Sequence, residues 1–378
     1  MAVEPRVLQR DDLLRAAISA GFSTMTERRL EDFRRDGLVP RPVRAANDGR
    51  RPVWIYPTGS DRQLVQLLRW REHTQNVDVL RVVLWIEEFP LALDAVRASA
   101  TAVLDGLLHE MERHLRAEAS RHGLDPVAEQ DTVVSAVATP MAAKRGKNAL
   151  PRPIRVPAGE RSTAVAHLLQ IFVLGEQPDV TEEEAETIEK VLGVSPGRRQ
   201  RVEDADPWLT GPANALVGAA DFVSLPRMAE ALADATDSEW EAARSPAAAL
   251  FLQLPVVARA LVATYGKENF AGMGGLTTFD EDPLMGVLLV AFALGARRAD
   301  WFGNVEALHD SLAPWPALVG DMEQVLDMSQ SELSRNLAGH GPEMRDRTQR
   351  IIDALQDGEL KLGPDLHADA RFRKEGRP

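Results

Sequence analysis

The sequence predicts a mostly α-helical protein with one small β-hairpin near its N-terminus. Apolar residues recur at helical spacing along most of the 378 residues, whereas alternating aromatic and β-branched residues are scarce outside one short N-terminal stretch. Proline and glycine interrupt the helical pattern at several points after residue 162, which is typical of a domain built from several helices. The length allows roughly two or three domains.

The first two elements are predicted to form a helix-turn-helix. Apolar residues at helical spacing indicate a short helix over residues 11–20, and Gly21 ends it. Ser23 or Thr24 is expected to cap a second helix, which Gly37 ends. Two short helices joined by a glycine-containing turn are the usual form of this motif.

A β wing is predicted over residues 38–60, where the helical spacing is lost. The Asn-Asp-Gly sequence at residues 47–49 is a strong hairpin-turn signal, and the Val-Trp-Ile-Tyr sequence at residues 53–56 favours an extended strand. Helical spacing resumes over residues 61–72 and again around residues 77–88. These elements together predict a winged helix-turn-helix.

A long helix is predicted next, from Pro90 to His122. Within it, Leu104, Leu108, Met111 and Leu115 recur at spacings of 4, 3 and 4 residues. Such a narrow stripe favours a partner helix and predicts dimerisation. An ordinary helix packed on its own C-terminal domain explains the same residues, and both interpretations stay open.

The composition predicts five segments. Between residues 139 and 162 the chain has six basic residues, one acidic residue and a proline-rich run, which favours a connector. The predicted segments are a winged helix-turn-helix domain over 1–88, a dimerisation helix over 89–123, a basic connector over 124–161, an all-α sensing or interaction domain over 162–365 and a disordered tail over 366–378.

The net charge of −13 argues against a nucleic-acid partner until its distribution is considered. Residues 1–72 hold 14 Arg, no Lys and 10 acidic residues, a balance of +4. The remaining residues hold 30 basic and 47 acidic residues, a balance of −17. The N-terminal segment is therefore electrostatically distinct from the rest of the chain.

The order of these elements resembles the MerR family of winged helix-turn-helix transcription regulators. The matching segment is residues 30–57, LEDFRRDGLVPRPVRAANDGRRPVWIYP, and the resemblance covers roughly residues 8–122. Where the family usually has an Arg-Tyr-Tyr-Glu type sequence, residues 31–34 are Glu-Asp-Phe-Arg; the wing from Gly49 to Tyr56 matches better. The resemblance implies a dimer that binds double-stranded DNA.

The predicted DNA-binding residues lie on the second helix and the wing. Side chains near the start of a groove-bound helix can read base edges, and wing arginines can bind phosphates or enter the minor groove. The predicted set is Thr24, Thr26, Arg28, Arg29, Arg34, Arg41, Arg44, Arg50, Arg51 and Tyr56. Alternatively, these arginines form a solvated face paired with Glu27, Glu31 and Asp36.

Other function classes have little support in the sequence. The chain has no cysteine, which excludes disulfides and thiolate metal sensing. His109 and His114 are five residues apart, unlike the spacing of helical zinc sites. We predict no catalytic residue, metal or cofactor. No apolar stretch reaches the roughly 20 residues of a membrane helix, and we expect no membrane partner and a cytoplasmic protein.

Two function hypotheses follow. The first is a dimeric DNA-binding transcriptional regulator whose α domain responds to a protein partner or a small-molecule effector. The alternative is a non-enzymatic interaction or scaffold protein that uses the winged helix and the α domain to bind protein partners, which the acidic Glu31 and Asp32 favour.

Overall fold

The computed structural model describes residues 8–48, 51–125, 130–143, 156–191, 212–265, 276–299 and 302–312. These ranges are mostly α-helical and contain one two-stranded sheet, as the sequence predicts. Contacts divide the chain into two compact units. The first comprises residues 1–103 with residues 281–288, and the second comprises residues 104–280 with residues 289–378.

The first unit contains the predicted series of short helices around one hairpin. In chain order the elements are α1 (Arg10–Ser19), α2 (Glu27–Arg35), β1 (Val43–Asp48), β2 (Arg51–Ile55), α3 (Ser60–His73), α4 (Val77–Ile86) and the first part of α5 (Leu93–His122). Each helix predicted before residue 88 is present, with ends shifted by a few residues.

Thr26 caps α2, so the prediction of Ser23 or Thr24 as the cap is wrong. The Thr26 side chain accepts a hydrogen bond from the Arg29 backbone N–H at 3.3 Å. The Met25 N–H instead bonds to the Phe22 carbonyl at 3.0 Å, which holds the two residues between them in a turn. At the other end, Gly37 adopts a φ of 71° that favours glycine and reverses the chain.

The predicted β-hairpin is confirmed. The strands β1 and β2 are antiparallel, and Arg44 lies opposite Trp54. The register shifts between Arg44 and Ala46, which marks a bulge. Residues 49–50, which include the glycine of the predicted turn, lie outside the described residues. Tyr56 extends the second strand, and its N–H donates to the Leu8 carbonyl at 2.8 Å.

The first unit has an apolar core with a few buried polar links. The fully buried large side chains of this unit are Leu13, Leu30, Leu38, Leu64, Leu67, Leu80, Leu84, Trp85 and Ile86. Gln63 on α3 is also buried, and its Nε2 donates to the Leu38 carbonyl at 2.8 Å. Arg81 on α4 donates to the Asp36 carbonyl at 2.6 Å and also bonds to Ser99. These bonds connect the end of α2 to α3, α4 and α5.

The described secondary-structure elements of the second unit are all helices. After the remainder of α5 come α6 (Gln130–Ala143), α7 (Ala158–Leu169), α8 (Glu182–Val191), α9 (Pro212–Gly218), α10 (Ala220–Val223), α11 (Leu225–Asp234), α12 (Asp237–Ala248), α13 (Leu254–Tyr265), α14 (Pro283–Arg298, whose first turns belong to the first unit) and α15 (Phe302–Leu312). Two π-helical turns, Gln170–Leu174 and Ala249–Gln253, directly follow α7 and α12.

Residues 130–143, which lie within the predicted basic connector over residues 124–161, are helical. These residues form α6, whose Val134 and Val137 pack against Val165 and Leu169 of α7. Burial of this apolar face outweighs the loss of one backbone hydrogen bond at Pro140, which lies inside the helix. Residues 144–155, which include five of the six basic residues of the predicted connector, lie outside the described residues, as does the predicted tail. In the described part of the chain, no helix combines the length and apolarity needed to cross a membrane.

Candidate nucleic-acid interface

All three acidic residues inside helix α2 are engaged in ion pairs. The pairs are Arg10–Glu27 at 2.8 Å, Arg34–Glu31 at 2.7 Å and Arg35–Asp32 at 2.7 Å. None of the ion pairs among the described residues of this region involves Arg28 or Arg29. The alternative of a solvated, paired face fits Arg34, but it does not fit the two arginines at the start of the helix.

The start of α2 brings four predicted residues together. Arg28 is exposed, whereas Arg29 is half-buried and its Nη1 donates to the Thr24 hydroxyl at 3.1 Å. The Thr26 hydroxyl accepts from the Arg29 backbone at 3.3 Å. Thr24 thus holds the Arg29 side chain and Thr26 its backbone N–H, while the Arg28 side chain is exposed. An exposed guanidinium in the first turn of a helix is chemically suited to the O6 and N7 acceptors of guanine.

Arg71 on α3 adds a cation that the sequence analysis missed. Its guanidinium carbon lies 5.1 Å from the centre of the Phe33 ring of α2. Burial lowers the pKa of Arg71 and the nearby charge of Arg29 lowers it further, while Asp36 opposes the shift. Two neighbouring cations repel each other, so an anion such as phosphate is favoured beside them. No local sequence pattern predicts that Arg71 lies near Arg29, because the two residues are far apart in the sequence.

The structure describes the solvent exposure of two of the predicted wing arginines. Arg41 precedes β1 and is exposed, and Arg44 is exposed within β1. Arg51 begins β2 opposite Asp48. Arg50 lies outside the described residues. Arg44 in the hairpin and Arg41 just before it are therefore exposed to solvent.

Tyr56 and Arg34 lie against each other at the base of the hairpin. Tyr56 is only 5% exposed. Burial raises the pKa of its hydroxyl, and the charge of the adjacent Arg34 opposes the rise. Arg34 also pairs with Glu31, so its charge is largely balanced. This placement favours a structural role for the two residues, in which they attach the hairpin to α2.

Part of the predicted dimerisation stripe on α5 packs against other helices of the same chain. Leu104 is fully buried, and Leu108 is half-buried. Met111 and Leu115 pack against the cluster that α6 and α7 form. This packing favours the alternative of a helix packed on its own chain for the second half of the stripe. A role of the stripe in dimerisation stays a prediction.

The histidines of α5 lie on a solvated surface. His114 is 60% exposed, with its Nε2 3.7 Å from the Oε1 of Glu110. Across the described ranges, no group of three or more histidine and carboxylate side chains is placed to hold a metal ion.

Comparisons with protein-family models, curated proteins and solved structures find no match for this chain. The resemblance to MerR regulators therefore remains a prediction from the sequence.

Proposed function

We propose that this chain is a MerR-like transcriptional regulator that binds double-stranded DNA through a winged helix-turn-helix formed by α1, α2 and the hairpin. In this proposal α2 enters the major groove and the hairpin contacts the flanking backbone or minor groove. The helical second unit serves as a sensing or protein-interaction domain, and the protein acts as a dimer.

The observation that carries the proposal is the charge distribution along α2. Its acids form ion pairs with Arg10, Arg34 and Arg35, whereas Arg28 and Arg29 in the first turn form none with the described residues. Arg71 adds a third cation close to Arg29. Excess positive charge at the start of an exposed helix favours binding to double-stranded DNA, which offers both phosphate charges and hydrogen-bonding base edges.

Selection from a random duplex pool tests the proposal with the full-length protein. We expect enrichment of specific sequences, and an affinity for the enriched duplex that falls steeply between about 50 and 200 mM salt. Arg28→Ala is expected to reduce discrimination at one base position by about 1–3 kcal/mol.

Arg35→Ala is the matched control on the same helix, because Arg35 lies in the last turn and pairs with Asp32 at 2.7 Å. This variant is expected to keep the wild-type sequence preference. A wild-type protein that enriches no duplex, or whose binding does not depend on salt, would contradict DNA binding.

A protein-binding scaffold is the second candidate. The Glu31 side chain is 64% exposed and that of Asp32 is 42% exposed, and carboxylates near a phosphate backbone are repelled. Exposed Ile18, Val43 and Trp54 would supply apolar contacts to a protein. If the chain binds DNA, replacement of Glu31 by Gln and Asp32 by Asn should strengthen DNA binding. If it is a scaffold, the same replacement should weaken binding of a protein partner that contacts these two carboxylates.

A further inference from the structure

The hairpin carries an exposed indole. Trp54 is 51% exposed, although Trp70 and Trp85 of the same unit are 6% and 1% exposed. An indole left in water forgoes the stabilisation that burial of its large apolar surface provides. The residue was predicted only to favour a strand, and strand formation alone does not require a ring of this size.

Trp54 lies beside a cation on one face of the hairpin. Trp54 and Arg44 are directly opposite in the antiparallel register, and cross-strand partners share a face. Both side chains are exposed. The bulge directly after Arg44 adds local twist to the strand. This face therefore combines an aromatic ring with a guanidinium.

The side of β2 that carries Trp54 also carries Tyr56, which lies close to α2. Tyr56 follows Trp54 by two residues, and alternate residues of an extended chain lie on one side. Tyr56 contacts Arg34 of α2. Trp54 is consequently about 7 Å further along the side that faces α2 at the base of the hairpin.

We infer that Trp54 is a non-ionic DNA contact whose indole packs against the deoxyribose and base edges of the groove that the hairpin enters, while Arg44 binds the neighbouring phosphate. The inference rests on the proposed function and adds a residue to that interface. Duplex DNA offers alternating phosphates and apolar sugar and base surfaces, which match this pair of side chains. An apolar protein surface would instead bury the Arg44 cation at a desolvation cost.

Three single variants of the full-length protein separate the two contacts, measured on the duplex that the wild-type protein selects. Trp54→Ala is expected to weaken binding roughly tenfold at every salt concentration, with the slope of log affinity against log salt unchanged. Arg44→Ala is expected to reduce that slope by about one. Val43→Ala is the control, because Val43 is 55% exposed on the same hairpin and pairs with Ile55 on the opposite face.

The Trp54→Phe variant retains an aromatic ring and allows the fluorescence emission of Trp54 to be measured by difference. It should keep most of the affinity, and the emission of Trp54, obtained as wild type minus Trp54→Phe, should shift or be quenched when the duplex is added. Unchanged affinity in Trp54→Ala together with an unchanged difference emission would overturn the inference while wild-type DNA binding stands. If the wild-type protein binds no duplex, the proposed function and the inference fail together.

Discussion

At the scale of single residues, the ionisation of Glu87 depends strongly on the fold. It follows α4, and its Oε1 accepts a hydrogen bond from Gln66 Nε2 at 2.6 Å. Burial raises its pKa from 4.5 to about 7, although Trp70, Gln66 and the charge of Arg69 oppose the rise. The folded chain therefore retains a proton at pH values where the unfolded chain has lost it.

This raised pKa predicts that Glu87 destabilises the fold at high pH. The penalty is absent below pH 4.5, grows between pH 4.5 and 7, and reaches about 3 kcal/mol above that window. Glu87→Gln removes the ionisation and keeps a group that can accept from Gln66. We expect a higher unfolding midpoint in urea than wild type at pH 8, and little difference at pH 4.5.

Glu88→Gln is the control, because Glu88 is exposed. An equal change for Glu87→Gln at both pH values would contradict the burial of an ionisable Glu87.

At the scale of elements, the start of α2 combines a stabilising cap with the proposed reading residues. Thr26 satisfies one backbone donor of the first turn, and Thr24 holds the Arg29 side chain. The hydroxyl groups of Ser23 and Thr24, which the sequence predicts as caps, have the same capping chemistry as the hydroxyl of Thr26. The choice among them depends on the turn at Phe22, which packing sets and spacing alone does not.

This division of roles predicts different costs for two similar variants. Thr26→Ala removes the cap and should lower the free energy of unfolding by about 1 kcal/mol. Thr24→Ala removes only a side-chain bond to Arg29, and its cost should be smaller. Urea denaturation of both variants tests the order, and an equal or larger loss in Thr24→Ala would show that Thr26 is not the effective cap.

At the scale of the whole molecule, α5 carries the two competing interpretations of the leucine stripe. Its second half is packed by Met111 and Leu115 against α6 and α7. Leu108 is half-buried and is absent from that cluster. A charge introduced at a residue that packs within the chain should lower the free energy of unfolding. A charge introduced at a residue of the dimer interface should instead lower the mass of the particle in solution.

The stripe therefore predicts two distinct outcomes. Leu115→Asp should lower the free energy of unfolding by about 2–4 kcal/mol, because it places a carboxylate against an apolar cluster. Leu108→Asp should halve the mass measured by light scattering, with a smaller loss of stability. A wild-type protein that is already monomeric, or a Leu108→Asp variant of unchanged mass, would reject the stripe as the dimer interface.

Local patterns predicted the helices of residues 10–86 and the hairpin because these elements depend on neighbours within a few positions. The extended run at residues 53–56 marked the second strand, whereas Asn47 and Asp48, predicted as turn residues, belong to β1. The helix α6 is not predicted locally, because the prolines after residue 139 indicate a connector, although Val133, Val134 and Val137 form an apolar face before them. Propensity is a weak guide when a buried face against α7 supplies the stabilisation.

The sequence by itself determined the helical fold class, the order of the N-terminal elements and the separation of a +4 segment from a −17 remainder. Only the tertiary structure decided which charges are available for a partner. It paired the acids of α2 with Arg10, Arg34 and Arg35, placed Arg71 near Arg29, and left Trp54 in solvent. Charge compensation and exposure depend on distances between distant parts of the chain, which folding sets and residue spacing does not.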